Sequence, residues 1–185
     1  MRIIKKDRIE MNTNMSRNCL KSIAQFCFIA SIIGCASFAN AEADVFAKIK
    51  EAMVVLKAET SKLGEPKVDG ATLFFGTTTL NDNFQIVDDV KSKFDCTATL
   101  FVKSGEEYVR VSTNVMKDGK RAVGTPLDPK GPAIAAIKKD ESYYGMADIL
   151  GTQYSTGYEP IKNSSGETIG IYYIGFKVEA GTIEF

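Results

Sequence analysis

A chain of 185 residues, 44% hydrophobic and 25% charged, is long enough for one domain with its own core plus a leader. Its 23 basic and 23 acidic residues balance, and it contains no histidine. That absence excludes a Ser-His-Asp triad, a Cys-His pair, histidine-ligated zinc or haem, and the Cys-x-x-Cys-His attachment of a c-type haem.

The start reads as an export signal. Arg2, Lys5, Lys6, Arg8, Arg17 and Lys21 form a basic region, within which Met1, Met11 and Met15 are all candidate initiators. Ser22 to Gly34 is an apolar run shorter than a bilayer-spanning helix needs. Ala39-Asn40-Ala41 then offers the small-x-small pattern of a signal-peptidase site, so residues 1–41 are expected to be a signal peptide and the protein periplasmic. A second reading stays open. Ile32-Ile33-Gly34-Cys35 fits a loose lipoprotein box in which Cys35 carries the anchor. Cleavage after Ala41 leaves 17 basic against 21 acidic residues, a net charge of −4. That balance argues against nucleic acid or an anionic membrane as partner, so any anion site must be local. Cys96 would be the one cysteine left, which forbids an internal disulfide and suits a buried, unreactive thiol.

Val45, Phe46, Ile49, Ala52, Met53 and Leu56 recur at three- and four-residue spacing, which predicts an amphipathic helix from Ala43 to Leu63. Gly64 and Pro66 end it, so residues 42–66 are a long leading helix. Its apolar stripe would pack on a sheet or on a second copy of itself. Ala71 to Gly76 predicts a strand. Asp82 or Asn83 is placed to cap a short helix carrying Phe84, Ile86, Val87 and Val90, with Asp88-Asp89 as a solvated face. Cys96–Lys103 and Glu107–Val115 form a hairpin about Ser104-Gly105-Glu106.

The second arm of that hairpin alternates. Tyr108, Arg110, Ser112 and Asn114 point one way, and Val109, Val111, Thr113 and Val115 the other. Lys117-Asp118-Gly119-Lys120 turns the chain and Arg121 follows. Two readings fit. The arginines converge on an anion, each fork of donors suiting a carboxylate, or the strand is half exposed and its arginines are solvated. Gly124-Thr125-Pro126 and Pro129 to Pro132 punctuate the loop, and Pro132 opens a short helix over Ala133–Lys139. Tyr143–Leu150, Gln153–Ile161 and Thr168–Val178 are extended, with a turn at Asn163–Gly166. The last strand is apolar on both faces and should be central. The sum is an α+β domain, an antiparallel sheet with packed helices. There is no phosphate-binding glycine loop, and Glu106-Glu107 sits on a turn, so nothing supports an enzyme and no cofactor is expected.

Ala98–Phe101, Val109–Val115, Gly119–Thr125, Tyr144–Ala147, Leu150-Gly151, Tyr154, Tyr158–Ile161 and Gly166–Gly175, in that order over about residues 69–177, resemble the Cache family. The type is the single Cache domain of bacterial chemoreceptors and histidine kinases, an extracytoplasmic sensor. Val87-Asp88-Asp89-Val90 also resembles a helix start of that family. The resemblance implies a PAS-like fold over residues 67–185: a central antiparallel sheet of about five strands, the long helix on one face, and loops plus short helices over a ligand pocket on the other. It implies a small-molecule ligand, a carboxylate or amino-acid-like metabolite. Arg110, Ser112, Thr113, Arg121 and Thr125 would contribute from the strand and loop, and Tyr144, Tyr154 and Tyr158 from later strands. The two arginines would hold a carboxylate and the tyrosines would wall the site. The chain stops at Phe185 where such receptors continue into a transmembrane helix, so the expectation is a free or lipid-tethered domain that presents its ligand to a membrane receptor or transporter, in signal transduction or chemotaxis. The alternative is an interaction module without a ligand that dimerises through Val45, Phe46, Ile49, Met53 and Leu56.

Overall fold

The computed structural model describes residues 44–178. The expected signal peptide with cleavage after Ala41, and the alternative anchor at Cys35, lie outside the described residues. Helix α1 occupies residues 44–61. A small sheet follows, ordered β1 (Pro66–Asp69), β2 (Thr72–Phe75) and β3 (Thr78–Thr79). Helix α2 (Gln85–Phe94) leads into β4 (Thr97–Ser104) and β5 (Glu107–Thr113). A ribbon of β6 (Met116–Lys117) and β7 (Lys120–Arg121) precedes α3 (Pro132–Ile137), then β8 (Tyr143–Ile149), β9 (Thr152–Lys162) and β10 (Thr168–Lys177). The main sheet is five-stranded in the order β5-β4-β10-β9-β8, every pair antiparallel. The fold is α+β, and β10 is the middle strand, buried from Thr168 through Gly175. A strand apolar on both sides can only sit where both faces are covered.

The two faces carry separate cores. Ala98, Leu100, Val102, Tyr172 and Ile174 face α1, α2 and the small sheet. Phe101, Ile171, Tyr158 and Tyr173 face α3 and the loop before it. On the first side, Ile49, Ala52, Met53 and Leu56 of α1 are at most 1% exposed. Each large side chain hidden this way stabilises by roughly 1.5–3 kcal/mol. Of the stripe named for a dimer, Ile49, Met53 and Leu56 are buried within one chain, whereas Val45 and Phe46 are half-buried. Cys96 is buried and free, and burial pushes its thiol up to about 12, so it is unreactive at neutral pH.

Helix α2 has Phe84 at its N-cap, which carries no capping group, and Asn83 supplies the cap from one residue earlier, its Oδ1 accepting from Gln85 N at 3.4 Å. Of the expected solvated pair, Asp89 is exposed, whereas Asp88 is half-exposed and ion-paired to Arg121 at 2.8 Å. Pro132 does open α3, and Asp118 and Gly119, both at positive φ, turn the β6–β7 ribbon.

One close approach fixes how the turn after α1 sits against the small sheet. Gly76 sits at φ +58°, and a Cβ there would lie 2.1 Å from the Leu63 carbonyl oxygen. Gly105, at φ +60°, has open space around it. Gly76→Ala is expected to cost about 3 kcal/mol or more in urea unfolding, and Gly105→Ala only about 1 kcal/mol of backbone strain. Equal costs at the two positions would show that the Gly76 contact does not constrain the fold.

Candidate ligand-binding site

The pairing of β4 with β5 shifts register between Leu100 and Phe101. Leu100 faces Ser112 and Phe101 faces Arg110, so Val111 is an extra residue, a β-bulge. Across the bulge the alternation changes phase. Arg110 joins the Phe101 and Tyr173 face, whereas Ser112 and Asn114 turn to the α2 side. Ser112 Oγ donates to the Asn83 carbonyl at 2.6 Å, and Asn114 Nδ2 donates to the Val87 carbonyl at 2.6 Å. The single polar face expected from the alternation is thus split between the two sides of the sheet.

The loop after β7 runs back along the outer edge of β5 as a strap. Arg110 N donates to Thr125 O at 3.0 Å, Gly124 N to Arg110 O at 2.9 Å, and Leu127 N to Tyr108 O at 2.8 Å. Strap, α3 and the end of β8 border an open cavity of about 430 Å³. Arg110 and Tyr158 line it from the sheet, Thr125 to Pro129 from the strap, Gly131 to Ala133 from the start of α3, and Ala147 to Leu150 from β8 and its turn. Lys117 reaches it from β6. The volume suits a small metabolite.

Arg110 is 5% exposed. Its guanidinium lies over the Phe101 ring, 5.0 Å from the centroid. Nη1 donates to Thr125 Oγ1 at 2.8 Å and to Pro126 O at 3.0 Å. Both acceptors are neutral, and Nε is buried with no partner. Burial pulls the Arg110 pKa below the usual arginine value, opposed by Tyr158 and Tyr173, but a guanidinium stays charged at any physiological pH. A buried cation without a counter-charge is costly, and an anion in the adjoining cavity would relieve that cost.

Of the residues expected at the site, the cavity brings together Arg110, Thr125 and Tyr158. Ser112, Thr113, Arg121, Tyr144 and Tyr154 do not line it. Thr113 Oγ1 pairs with Thr99 Oγ1 at 2.6 Å. Arg121 holds a carboxylate, but that of Asp88, through Nη1 at 2.9 Å and Nη2 at 2.8 Å, while stacked 4.3 Å from the Phe84 ring centroid. Tyr154 packs at the margin of the second core. Tyr144 faces α1, where its hydroxyl donates to Glu159 Oε1, and Glu159 Oε2 takes Lys57 Nζ at 2.6 Å. Sequence reasoning missed Asp128, Asp148, Leu127 and Ala133. The proline and glycine spacing of the strap was its visible signal, taken only as punctuation. Among the described residues, no group of three or more His, Cys, Asp and Glu side chains could hold a metal, and no helix is long and apolar enough to cross a membrane.

A family model described as the Cache 3/Cache 2 fusion domain matches residues 35–183. The sensor domain of E. coli DcuS is similar at 22% identity, with 50% of this chain and 64% of that one covered and a TM-score of 0.38. A Rhodococcus sp. RHA1 protein described as a transcriptional regulator is similar at 14% identity, over 65% of this chain and 72% of that one, with a TM-score of 0.39. Neither likeness is close enough to position a side chain. No curated protein matches.

The clamp on α1 has a pH signature. Burial raises the Glu159 pKa, but the hydrogen bonds from Lys57 and Tyr144 outweigh it and leave the group below its ordinary 4.5. A depressed carboxylate contributes stability that is fully present above the unfolded value and is lost as pH falls through the folded one. Thermal melts should therefore lose stability below about pH 4.5 less steeply in Glu159→Gln than in the parent. Parallel curves would remove Glu159 from the acid transition.

Proposed function

The chain belongs to the Cache 3/Cache 2 fusion domain family, and from that premise we propose that it is an extracytoplasmic sensor domain that holds a small carboxylate-bearing metabolite on Arg110. The observation that carries the reading is the Arg110 guanidinium, 5% exposed, with an unpartnered Nε beside a cavity of about 430 Å³. Thr125 and the Pro126 carbonyl fix one side of the fork and Phe101 fixes its plane, so little freedom is lost on binding. Tyr158 supplies the aromatic wall. The role is non-enzymatic, as befits a signalling module. The occupied domain is presented to a membrane receptor or transporter, in signal transduction of the chemotactic kind, from the periplasmic side.

A thermal-shift panel of small carboxylates and amino acids tests this. A true ligand at 100 times its Kd stabilises by about 2.7 kcal/mol. Arg110→Met should abolish the shift, weakening the best ligand at least 100-fold, while unliganded stability changes by no more than about 1 kcal/mol because a buried, poorly partnered charge is removed. Arg121→Lys should leave affinity unchanged. Undiminished affinity in Arg110→Met would sink the assignment.

A further inference from the structure

The reading of Arg110 as the carboxylate holder leaves the far end of the ligand unspecified, and the charges around the cavity specify it. Four charged residues line it: Arg110, Lys117, Asp128 and Asp148. Arg110 is buried in the floor, whereas Lys117, Asp128 and Asp148 are exposed at the rim. The floor therefore carries one positive charge and the rim a net negative one. Arg121, the cation that could have met a second carboxylate, is held by both oxygens of Asp88 and does not line the cavity.

The two rim carboxylates are positioned by their own turns. Asp128 Oδ1 accepts from Lys130 N at 2.9 Å, and Asp148 Oδ1 from Gly151 N at 2.8 Å. Each turn occupies one oxygen of its carboxylate. The independent observation is Arg110 itself, which is 5% exposed, lines the cavity, and has only a hydroxyl and a carbonyl as partners. Resting on the Arg110 assignment, we infer that the cavity takes a zwitterion, its carboxylate on Arg110 and its cationic group toward Asp128 and Asp148, and that it rejects dicarboxylates. A second carboxylate would meet a rim of net negative charge, where the one cation, Lys117, is exposed and solvated and no buried cation receives it. A plain monocarboxylate satisfies the floor alone.

Four-carbon probes sharing one carboxylate separate the cases: butyrate, succinate, 2-aminobutyrate and 4-aminobutyrate, each titrated calorimetrically into the full domain. At least one aminobutyrate should bind about 10-fold tighter than butyrate, and succinate weaker than butyrate. The double variant Asp128→Asn, Asp148→Asn keeps an oxygen for each turn. It should lose the preference for the amine while retaining butyrate affinity. Butyrate or succinate binding as tightly as both aminobutyrates overturns the zwitterion and leaves the Arg110 site standing. A preference that survives in the double variant overturns the roles of Asp128 and Asp148. If none of the four probes binds, or if Arg110→Met binds them as the parent does, the carboxylate reading itself falls and this inference with it.

Discussion

Everything on the cavity side of the sheet is arranged around a guanidinium that the fold buries without neutralising. A charge taken from water normally finds a carboxylate partner, because an isolated one is penalised by several kcal/mol. Arg110 instead has a hydroxyl, a carbonyl and the face of Phe101. These supports orient the fork and soften its desolvation, but none cancels its charge. The nearby carboxylates are kept to other tasks, Asp88 by Arg121 and one oxygen each of Asp128 and Asp148 by turn amides.

The sheet makes this possible by separating two jobs. Successive residues of a strand face opposite sides, so single dipeptides serve both. On β9, Tyr158 lines the cavity and Glu159 grips Lys57 of α1. On β8, Tyr143 packs against the Tyr158 ring at 6.2 Å and Tyr144 donates to Glu159. Tyr158 in turn sits 4.9 Å from Tyr173 of the central strand. The aromatic row that floors one side is thus built from the same strands whose next residues fasten the leading helix to the other.

Much of this was legible in the chain. Helical spacing marked α1 by Val45, Ile49, Met53 and Leu56, and the two-sided apolar run marked β10 as central, because both signals come from local periodicity. The resemblance on Val109–Val115 and Gly119–Thr125 carried the α+β Cache architecture. What periodicity could not carry is the bulge at Val111, since one extra residue leaves no trace in composition and reverses every side chain beyond it. Arg110 therefore reaches the cavity, and Ser112, two residues on, does not. Arg121 was misread for a related reason. A guanidinium that suits a ligand carboxylate suits Asp88 equally, and only the fold decides which arrives. Asp128 and Asp148 were invisible because they act through turns that bring distant loops to one rim.

The Asp88–Arg121 pair has a consequence for the cavity as well as for the ribbon that carries it. Its side chains are 40% and 31% exposed, so as a surface ion pair it contributes at most about 1 kcal/mol to stability. Its greater effect is on electrostatics. By holding Arg121 against Phe84 and the Thr113 carbonyl, Asp88 keeps a third cation, beyond Arg110 and Lys117, off the cavity lining. The lining charges then sum to zero with a dipolar arrangement, positive beneath and negative at the mouth. On the zwitterion proposal, a guest that matches that dipole enters without importing net charge, whereas a dianion brings uncompensated charge past two carboxylates. Selectivity would then depend as much on where Arg121 is held as on where Arg110 is.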